Sequence, residues 1–160
     1  MRAGGRTGWS AAPRRLGVSV LVVAALACGG TGPRPVALGE DACAYCRMTV
    51  TDPRFAAEAV TRTGRVHVFD GIDCLAGWVR AAEPGTARAL WVTDASAPGT
   101  FVAAERAGYL LDASLRGPMG RAVAFASIEA ARAAQARLGG TVADWNAVLA
   151  DTLAHAHGDR

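Results

Sequence analysis

The sequence contains no lysine, so all 17 of its basic residues are arginine. Its longest apolar run, Leu16–Ala27, has 12 residues, whereas a membrane-spanning helix needs about 20. It has a single C-x-x-C pair, and no Ser/His/Asp arrangement, paired-carboxylate site or phosphate-binding loop is recognisable. These absences argue against a membrane-spanning protein, the common hydrolases and nucleotide-binding enzymes, and a four-cysteine zinc site.

The first 27 residues have the pattern of a secretory signal peptide. The short apolar run follows a basic segment without acidic residues, and this pairing is typical of exported proteins. The run ends in small residues before Cys28, and two glycines follow, which is the pattern of a lipobox. We expect cleavage before Cys28 and attachment of lipid to its thiol, which would hold the protein on the periplasmic side of the cell envelope. The alternative is an ordinary signal peptide cut near Ala27, with Cys28 left as a free thiol.

Removal of this segment changes the charge of the chain. The full sequence has a formal charge of +3, but four of its arginines lie before Cys28, which leaves 13 arginines against 14 acidic residues. The mature chain is therefore close to neutral and slightly acidic. A protein that binds nucleic acid needs a clustered basic face, so we expect no nucleic-acid partner.

The remaining chain predicts a tether and one domain. Residues 28–39 are rich in glycine and proline, as in flexible linkers, and residues 40–160 have the length of one compact domain. Within this domain, Val66–Cys74 and Ala122–Ala130 share an order of residues: alternating apolar residues, then Phe-x-x-Ile followed by an acidic and a small residue. We interpret them as equivalent parts of two repeats, at about residues 55–94 and 107–143.

Each repeat has the pattern of two strands, a helix and a third strand. The predicted helices, Cys74–Ala82 and Ile128–Leu138, follow Asp70 and Ser127, which are plausible N-caps. A last helix, Asp144–Ala154, carries apolar residues at three- and four-residue spacing. The sequence thus predicts an α+β fold in which two ββαβ pseudo-repeats pack together, with a C-terminal helix. The predicted strands are 55–61, 66–69, 89–92, 109–113, 122–125 and 141–143.

The segment Cys43-Ala44-Tyr45-Cys46-Arg47-Met48 carries the clearest chemistry. Two cysteines three residues apart can bind one ion from a single turn, and Met48 adds a third soft donor. Thiolate and thioether ligands together favour Cu(I), so we predict a copper site here. Three other interpretations stay open: a structural disulfide between Cys43 and Cys46, a thioredoxin-like redox site, and a buried apolar role for Met48.

Four other residues are candidates for the same site. Met119 lies in a Gly-Pro-Met-Gly turn before a predicted strand, an unusual place for a core methionine, although buried packing is the alternative. Cys74 is either a small buried apolar residue, which we favour, or a further ligand. Asp70 is a secondary candidate as a nearby carboxylate. His67 alternates with two valines, so we expect it at the surface rather than on a metal.

Taken together, these residues resemble the NosL family of copper-binding lipoproteins. The resemblance extends from Cys43 to about Val148 and rests on the order of its landmarks: Cys43-x-x-Cys46-x-Met48, Asp52 before Phe55-Ala56-Ala57, Val68-Phe69-Asp70 with Cys74, Trp91-Val92-x-Asp94, Ala107-x-Tyr109, and Pro118-Met119-Gly120 before Ala124-Phe125. One departure is Gly71, which stands where the family usually has a second acidic residue.

The resemblance implies both a fold and a function. The implied fold is a duplicated ββαβ unit similar to the organomercurial lyase core. The implied function is a Cu(I) metallochaperone that delivers copper for maturation of nitrous oxide reductase, with an ABC-type maturation complex as a docking partner. The implied ligands are Cys46, Met48 and Met119, and Cys43 is the next candidate. Apo nitrous oxide reductase or another copper enzyme would be the client, and the protein itself would not be an enzyme.

A second hypothesis makes the protein an enzyme of the cell envelope. A thiol-disulfide oxidoreductase would need an accessible thiol of low pKa. An enzyme like organomercurial lyase would need two thiols and a carboxylate, for which Cys43, Cys46 and Asp70 are the candidates.

Overall fold

A computed structural model describes residues 32–118 and 120–158, together with Met1 and Gly4. The predicted apolar run, the lipidation site Cys28 and the candidate ligand Met119 lie outside the described residues. Within the described ranges, no helix has both the length and the apolar character that crossing a membrane requires.

In the described residues, seven strands form two antiparallel sheets, and three helices accompany them. The first sheet has the order β2-β1-β3-β4, and its strands are β1 (Ala57–Thr61), β2 (Val66–Phe69), β3 (Ala87–Thr93) and β4 (Phe101–Ala103). The second has the order β6-β5-β7, and its strands are β5 (Gly108–Leu111), β6 (Ala122–Phe125) and β7 (Thr141–Ala143). The helices are α1 (Ile72–Ala81), α2 (Ile128–Leu138) and α3 (Trp145–Gly158).

The two sheets repeat one connection pattern. In each, the first strand is central and pairs with the strand that follows it and with the strand that comes after the helix. The first unit is therefore β1-β2-α1-β3 and the second is β5-β6-α2-β7. The predicted α+β fold with two ββαβ pseudo-repeats and a C-terminal helix is confirmed. Strand β4 was not predicted, and element ends differ from prediction by up to four residues, as at the end of α3.

The two repeat helices begin in different ways. The Ser127 hydroxyl accepts a hydrogen bond from the Ala130 backbone N–H at 3.3 Å, so the predicted cap of α2 is confirmed. The predicted cap of α1 is wrong. Its N-cap is Gly71, which has no side chain to cap the helix, and the carboxyl of the preceding Asp70 is buried without a hydrogen bond to any described N–H group.

Both units contribute to one apolar core. Phe69 and Leu75 of the first unit lie in the same buried cluster as Tyr109 of the second unit and Trp145 of α3. The Tyr109 hydroxyl donates to the Ala104 carbonyl at 2.8 Å, and the rings of Tyr109 and Trp145 are 6.0 Å apart. This shared core fixes the first unit against the second, so the site described below is built on a rigid support.

The second half of the predicted tether differs from expectation. The Arg34 backbone N–H donates to the Glu58 carboxylate at 2.9 Å, and its guanidinium binds Asp41 at 2.6 and 2.9 Å. Val36 packs against a small buried cluster that includes Val50. These contacts hold residues 34–39 on the domain, because burial and ion pairing outweigh the flexibility that their Gly and Pro content suggests.

Candidate metal centre

The cysteine segment forms a tight loop beside strand β2. Its ends pair at Ala42 and Thr49, and the Cys43 N–H donates to the Met48 carbonyl at 2.8 Å. The Ala44 N–H donates to the Val68 carbonyl at 2.8 Å, which attaches the loop to the free edge of β2. These bonds present Cys43 and Cys46 from opposite ends of one turn.

A third cysteine reaches this loop from α1. The Sγ atoms of Cys43, Cys46 and Cys74 all lie within 4.8 Å of one another. Cys43 and Cys74 are buried and Cys46 is half-buried, and all three are free thiols. In the part of the chain that the structure describes, no carboxylate or imidazole joins this group of donor atoms.

Cys43 has the environment of a thiolate. The hydrogen bond from Cys74 is the largest influence, and together with backbone N–H groups of Asp70, Cys46 and Tyr45 it lowers the pKa of the Cys43 thiol. The Cys46 N–H contact to the Cys43 Sγ measures 3.5 Å. The same pairing raises the pKa of Cys74, which keeps its proton while it donates to Cys43. A soft cation that binds here replaces this proton, since thiolates are the metal-binding form.

A buried carboxyl group borders the thiols. Asp70 is 1% exposed, and neither of its carboxylate oxygens has a hydrogen-bond partner among the residues that the structure describes. Burial raises the pKa of this carboxyl, and the negative charges of Cys43 and Asp52 raise it further. Its own backbone N–H faces the Cys43 sulfur. Asp70 thus adds potential negative charge beside the site without joining the group of close donor atoms.

The outer side of the loop carries exposed apolar side chains. Met48 is 47% exposed and Tyr45 is 52% exposed. The Tyr45 ring lies against α1 at Gly77, where an added Cβ would come within 2.7 Å of the ring. The sulfur-bearing residues therefore run from buried Cys43 and Cys74, through half-buried Cys46, to exposed Met48.

The ends of the Gly-Pro-Met-Gly turn contact the first unit. Gly117 and Gly120 form a bridge with each other. Gly120 packs so closely on Asp73 that a Cβ would overlap the carboxylate, and the Asp73 Oδ2 accepts from the Ala122 N–H at 3.2 Å. Asp73 adjoins Cys74 in the first turn of α1. The described residues on either side of Met119 thus belong to a segment fastened next to the cysteine-bearing helix.

His67 lies in a separate environment. Its ring packs on Trp78 with a centroid distance of 5.1 Å. Burial lowers the pKa of His67, and Arg65 lowers it further, so the imidazole is neutral at pH 7. It is half-buried rather than fully at the surface, and it is not among the close donor atoms.

One buried charged residue was not predicted from the sequence. Glu58, the second residue of β1, is fully buried; one carboxylate oxygen accepts from the Arg34 N–H, and the other has no partner in the described part of the chain. The available signal was an acidic residue within the otherwise apolar run 55–60, because a charge is placed inside a buried strand only where a partner or a role exists.

Comparison with known proteins identifies the family. The family model described as NosL matches residues 35–153. The crystal structure of the copper chaperone NosL from Shewanella denitrificans matches with a TM-score of 0.60 and 23% identity, covering 71% of this chain and 96% of that chain. At this identity the structural match establishes a shared fold. A comparison with curated proteins found no significant match. Because the family model covers well over half of the sequence, the chain belongs to the NosL family.

Proposed function

We propose that this protein is a lipid-anchored Cu(I) metallochaperone of the cell envelope that delivers copper for maturation of nitrous oxide reductase. The observation that carries the proposal is the group of three thiol sulfurs, from Cys43, Cys46 and Cys74, within 4.8 Å of one another. Membership of the NosL family supports the same function. The client is apo nitrous oxide reductase or another copper enzyme, and an ABC-type maturation complex is the docking partner.

The spacing of the sulfurs suits a soft cation of low coordination number. Metal–sulfur bonds of about 2.3 Å place the sulfurs of a trigonal site about 4 Å apart, and those of a linear site about 4.6 Å apart. Both separations fall within the observed limit of 4.8 Å. Thiolates select Cu(I), whereas a structural zinc site needs four ligands.

The methionines complete the proposed site on its outer side. Met48 follows Cys46 by two residues and is the exposed member of the sulfur series. Met119 is the further proposed ligand, supported by the close contact of Gly120 with Asp73 near the start of α1. Thioethers are neutral donors and bind less strongly than thiolates, so an incoming ligand displaces them first. Transfer then proceeds by ligand exchange, in which Met48 and Met119 are displaced first, Cys46 next and the buried thiols last, with copper remaining Cu(I).

The proposed anchor keeps the domain near the membrane. Lipid on Cys28 fixes one end of the tether, and Arg34 is held on the domain by Glu58 and Asp41. Six residues of extended chain span at most about 20 Å. A copper site on so short a connection stays within reach of membrane-bound partners. Loss of membrane association in Cys28→Ser, with mass spectrometry of the mature N-terminus, tests the anchor.

Anaerobic Cu(I) titration against a competing chelator tests metal binding. With a soluble form that begins after Cys28, we expect one Cu(I) per chain and loss of stoichiometric binding in Cys46→Ser. Met48→Leu conserves volume and removes only the sulfur donor, so affinity falls modestly. Retention of tight 1:1 binding by Cys46→Ser would refute the assignment, provided that circular dichroism shows a folded variant.

The same preparation tests the alternative of a cell-envelope enzyme. The low pKa of the Cys43 thiol and the buried Asp70 carboxyl are the features that favour it. Cys43 is fully buried, whereas a redox thiol must meet its substrate. We expect neither insulin reduction nor protonolysis of methylmercury. Turnover in either assay, abolished by Cys43→Ser or Asp70→Asn, would favour a thiol oxidoreductase or an organomercurial-cleaving enzyme instead.

A further inference from the structure

An open cavity with three arginines lies beside the cysteine loop. It has a volume of about 390 Å³, and we call it the arginine pocket. It is lined by residues of the loop and of β2, by His67 and Trp78, and by the charged residues Arg34, Asp41, Arg47 and Arg65.

The charges in this pocket are unbalanced. Arg34 binds both carboxylate oxygens of Asp41, at 2.9 and 2.6 Å, so this pair is neutral overall. The guanidinium groups of Arg47 and Arg65 have no hydrogen bond or ion pair among the described residues. The His67 ring is neutral and adds no negative charge. The pocket therefore presents two uncompensated positive charges in a chain whose mature part is slightly acidic overall.

Arg47 occupies this place at a conformational cost. Its φ is 69°, in the left-handed region that favours glycine and that other L-residues adopt at an energetic cost. It stands between Cys46 and Met48, so a partner that approaches the exposed sulfurs also approaches this guanidinium. A long charged side chain at a position suited to glycine indicates a role for the charge, since strain of this kind concentrates at functional sites.

We propose that the arginine pocket binds an acidic segment of the protein that exchanges copper with this one. Guanidinium groups bind carboxylates through paired hydrogen bonds, and complementary charge accelerates protein association. The concave shape favours a protruding acidic segment over the flat surface of an anionic membrane, and the lining residue Arg47 lies between Cys46 and Met48 in the chain. This inference rests on the proposed copper transfer, because the segment would align the partner's donor atoms with Met48 and Cys46.

Copper transfer to charged acceptor peptides tests the pocket. Two fluorescent peptides share one Cys- and Met-containing copper motif, flanked by glutamates in one and by glutamines in the other. At low ionic strength we expect the copper-loaded protein to transfer Cu(I) to the acidic peptide about tenfold faster, within the usual range of electrostatic steering. High salt removes the preference, because at 1 M the Debye length is about 3 Å.

Variants separate the pocket from general charge effects. In Arg47→Gly with Arg65→Gln, we expect the two peptides to accept copper at nearly equal rates. The melting temperature of the metal-free Arg47→Gly variant should rise, because glycine relieves the left-handed backbone. Arg137→Gln, on α2, removes one positive charge away from the pocket and serves as the control that keeps the preference.

Three outcomes would overturn the inference. They are equal rates to both peptides in the wild-type protein, a preference that survives in the double variant, and a loss of preference in Arg137→Gln as large as in the double variant. Binding to vesicles of phosphatidylglycerol and phosphatidylcholine that depends on Arg47 and Arg65, without a peptide preference, would assign the pocket to a membrane surface. Failure of the wild-type protein to bind Cu(I) would refute the proposed function and is detected separately by the titration.

Discussion

In the first unit, β2 enters α1 through Phe69-Asp70-Gly71-Ile72-Asp73-Cys74; in the second, β6 enters α2 through Phe125-Ala126-Ser127-Ile128-Glu129-Ala130. The N-cap residues Gly71 and Ser127 both have extended backbone, and the two isoleucines begin the helices. The second unit places ordinary stabilising residues at the variable positions, including a capping serine. The first unit places a buried carboxyl, an uncapped glycine and a thiol there.

This difference separates stability from function within one fold. A separate apolar cluster surrounds Leu110 and Phe125 of the second unit and also includes Phe55, and no charged residue among the described residues of that unit is buried. The first unit buries Glu58 and Asp70, each with at least one oxygen that has no hydrogen-bond partner within the described ranges. Such groups lower stability, and they occur where a site needs them. Exchanging equivalent residues between the units therefore tests which differences serve the proposed copper site.

The largest effect is expected for the buried leucine of α1. Leu75 is fully buried and is equivalent to Ala131 of α2, which is also fully buried. Leu75→Ala removes the side chain from the shared core, so we expect a loss of about 2–5 kcal/mol in the free energy of unfolding, measured in denaturant. Ala131→Leu should cost about 1–3 kcal/mol through overpacking. If both exchanges were neutral, the two helices would not be packed as described.

The next effect concerns the third thiol. Cys74→Ala introduces the residue that the second unit carries as Ala130. Since alanine is a good helix former, the helix remains intact, while Cu(I) affinity should fall at least about tenfold, or ~1.4 kcal/mol. Chelator competition measures the loss, and X-ray absorption should detect one sulfur neighbour fewer. Unchanged affinity and sulfur number would show that Cys74 is only a buried apolar residue. The reciprocal Ala130→Cys should add no copper site.

A smaller effect, dependent on pH, is expected at Asp70. Because the pKa of its carboxyl is raised in the folded protein, the folded state holds this proton more tightly than the unfolded chain. The stabilisation of the folded state by this proton is fully present below the ordinary carboxyl pKa of about 4, and it is lost as pH rises through the raised pKa. Asparagine does not titrate, so Asp70→Asn removes this loss of stability. At pH 7 the free energy of unfolding of the metal-free variant should therefore be higher than that of wild type, by on the order of 1 kcal/mol.

Denaturant curves of the metal-free proteins at several pH values test this effect. The difference between Asp70→Asn and wild type should shrink as pH falls toward about 4. A constant difference across the range would mean that Asp70 does not titrate in the folded protein. Glu129→Gln, on the exposed start of α2, provides the matched carboxyl that should not reproduce the pattern.

The smallest effect concerns the helix caps. Gly71→Ser gives α1 the cap that Ser127 gives α2, and no atom lies within 4 Å of the added Cβ. Replacing a glycine cap by serine should raise the free energy of unfolding by a few tenths of a kcal/mol. Ser127→Ala should cost about 1 kcal/mol, since it leaves the Ala130 N–H without its partner. Thermal unfolding compares the two. If Gly71→Ser did not raise the melting temperature, the N–H groups in the first turn of α1 would already have other hydrogen-bond partners.

Local patterns in the sequence were enough to predict much of this protein. Alternating apolar residues and the repeated Phe-x-x-Ile order predicted two ββαβ units, because the spacing of apolar residues in a strand or helix can be read directly from the sequence. The short spacing of Cys43, Cys46 and Met48 predicted a soft-metal loop for the same reason: the residues are neighbours in the chain. Strand β4 was missed because three half-buried residues carry too little periodicity to detect.

Only the tertiary structure decided which distant residues meet. The sequence favoured Cys74 as a small buried residue, and packing of α1 against the loop brings its sulfur to those of Cys43 and Cys46. Asp70 has the sequence of a helix cap, yet the turn into α1 buries its carboxyl beside a thiol. Arg47 and Arg65 come together because the loop attaches to β2. These contacts join residues far apart in the chain, and their formation depends on the shared core rather than on any local pattern.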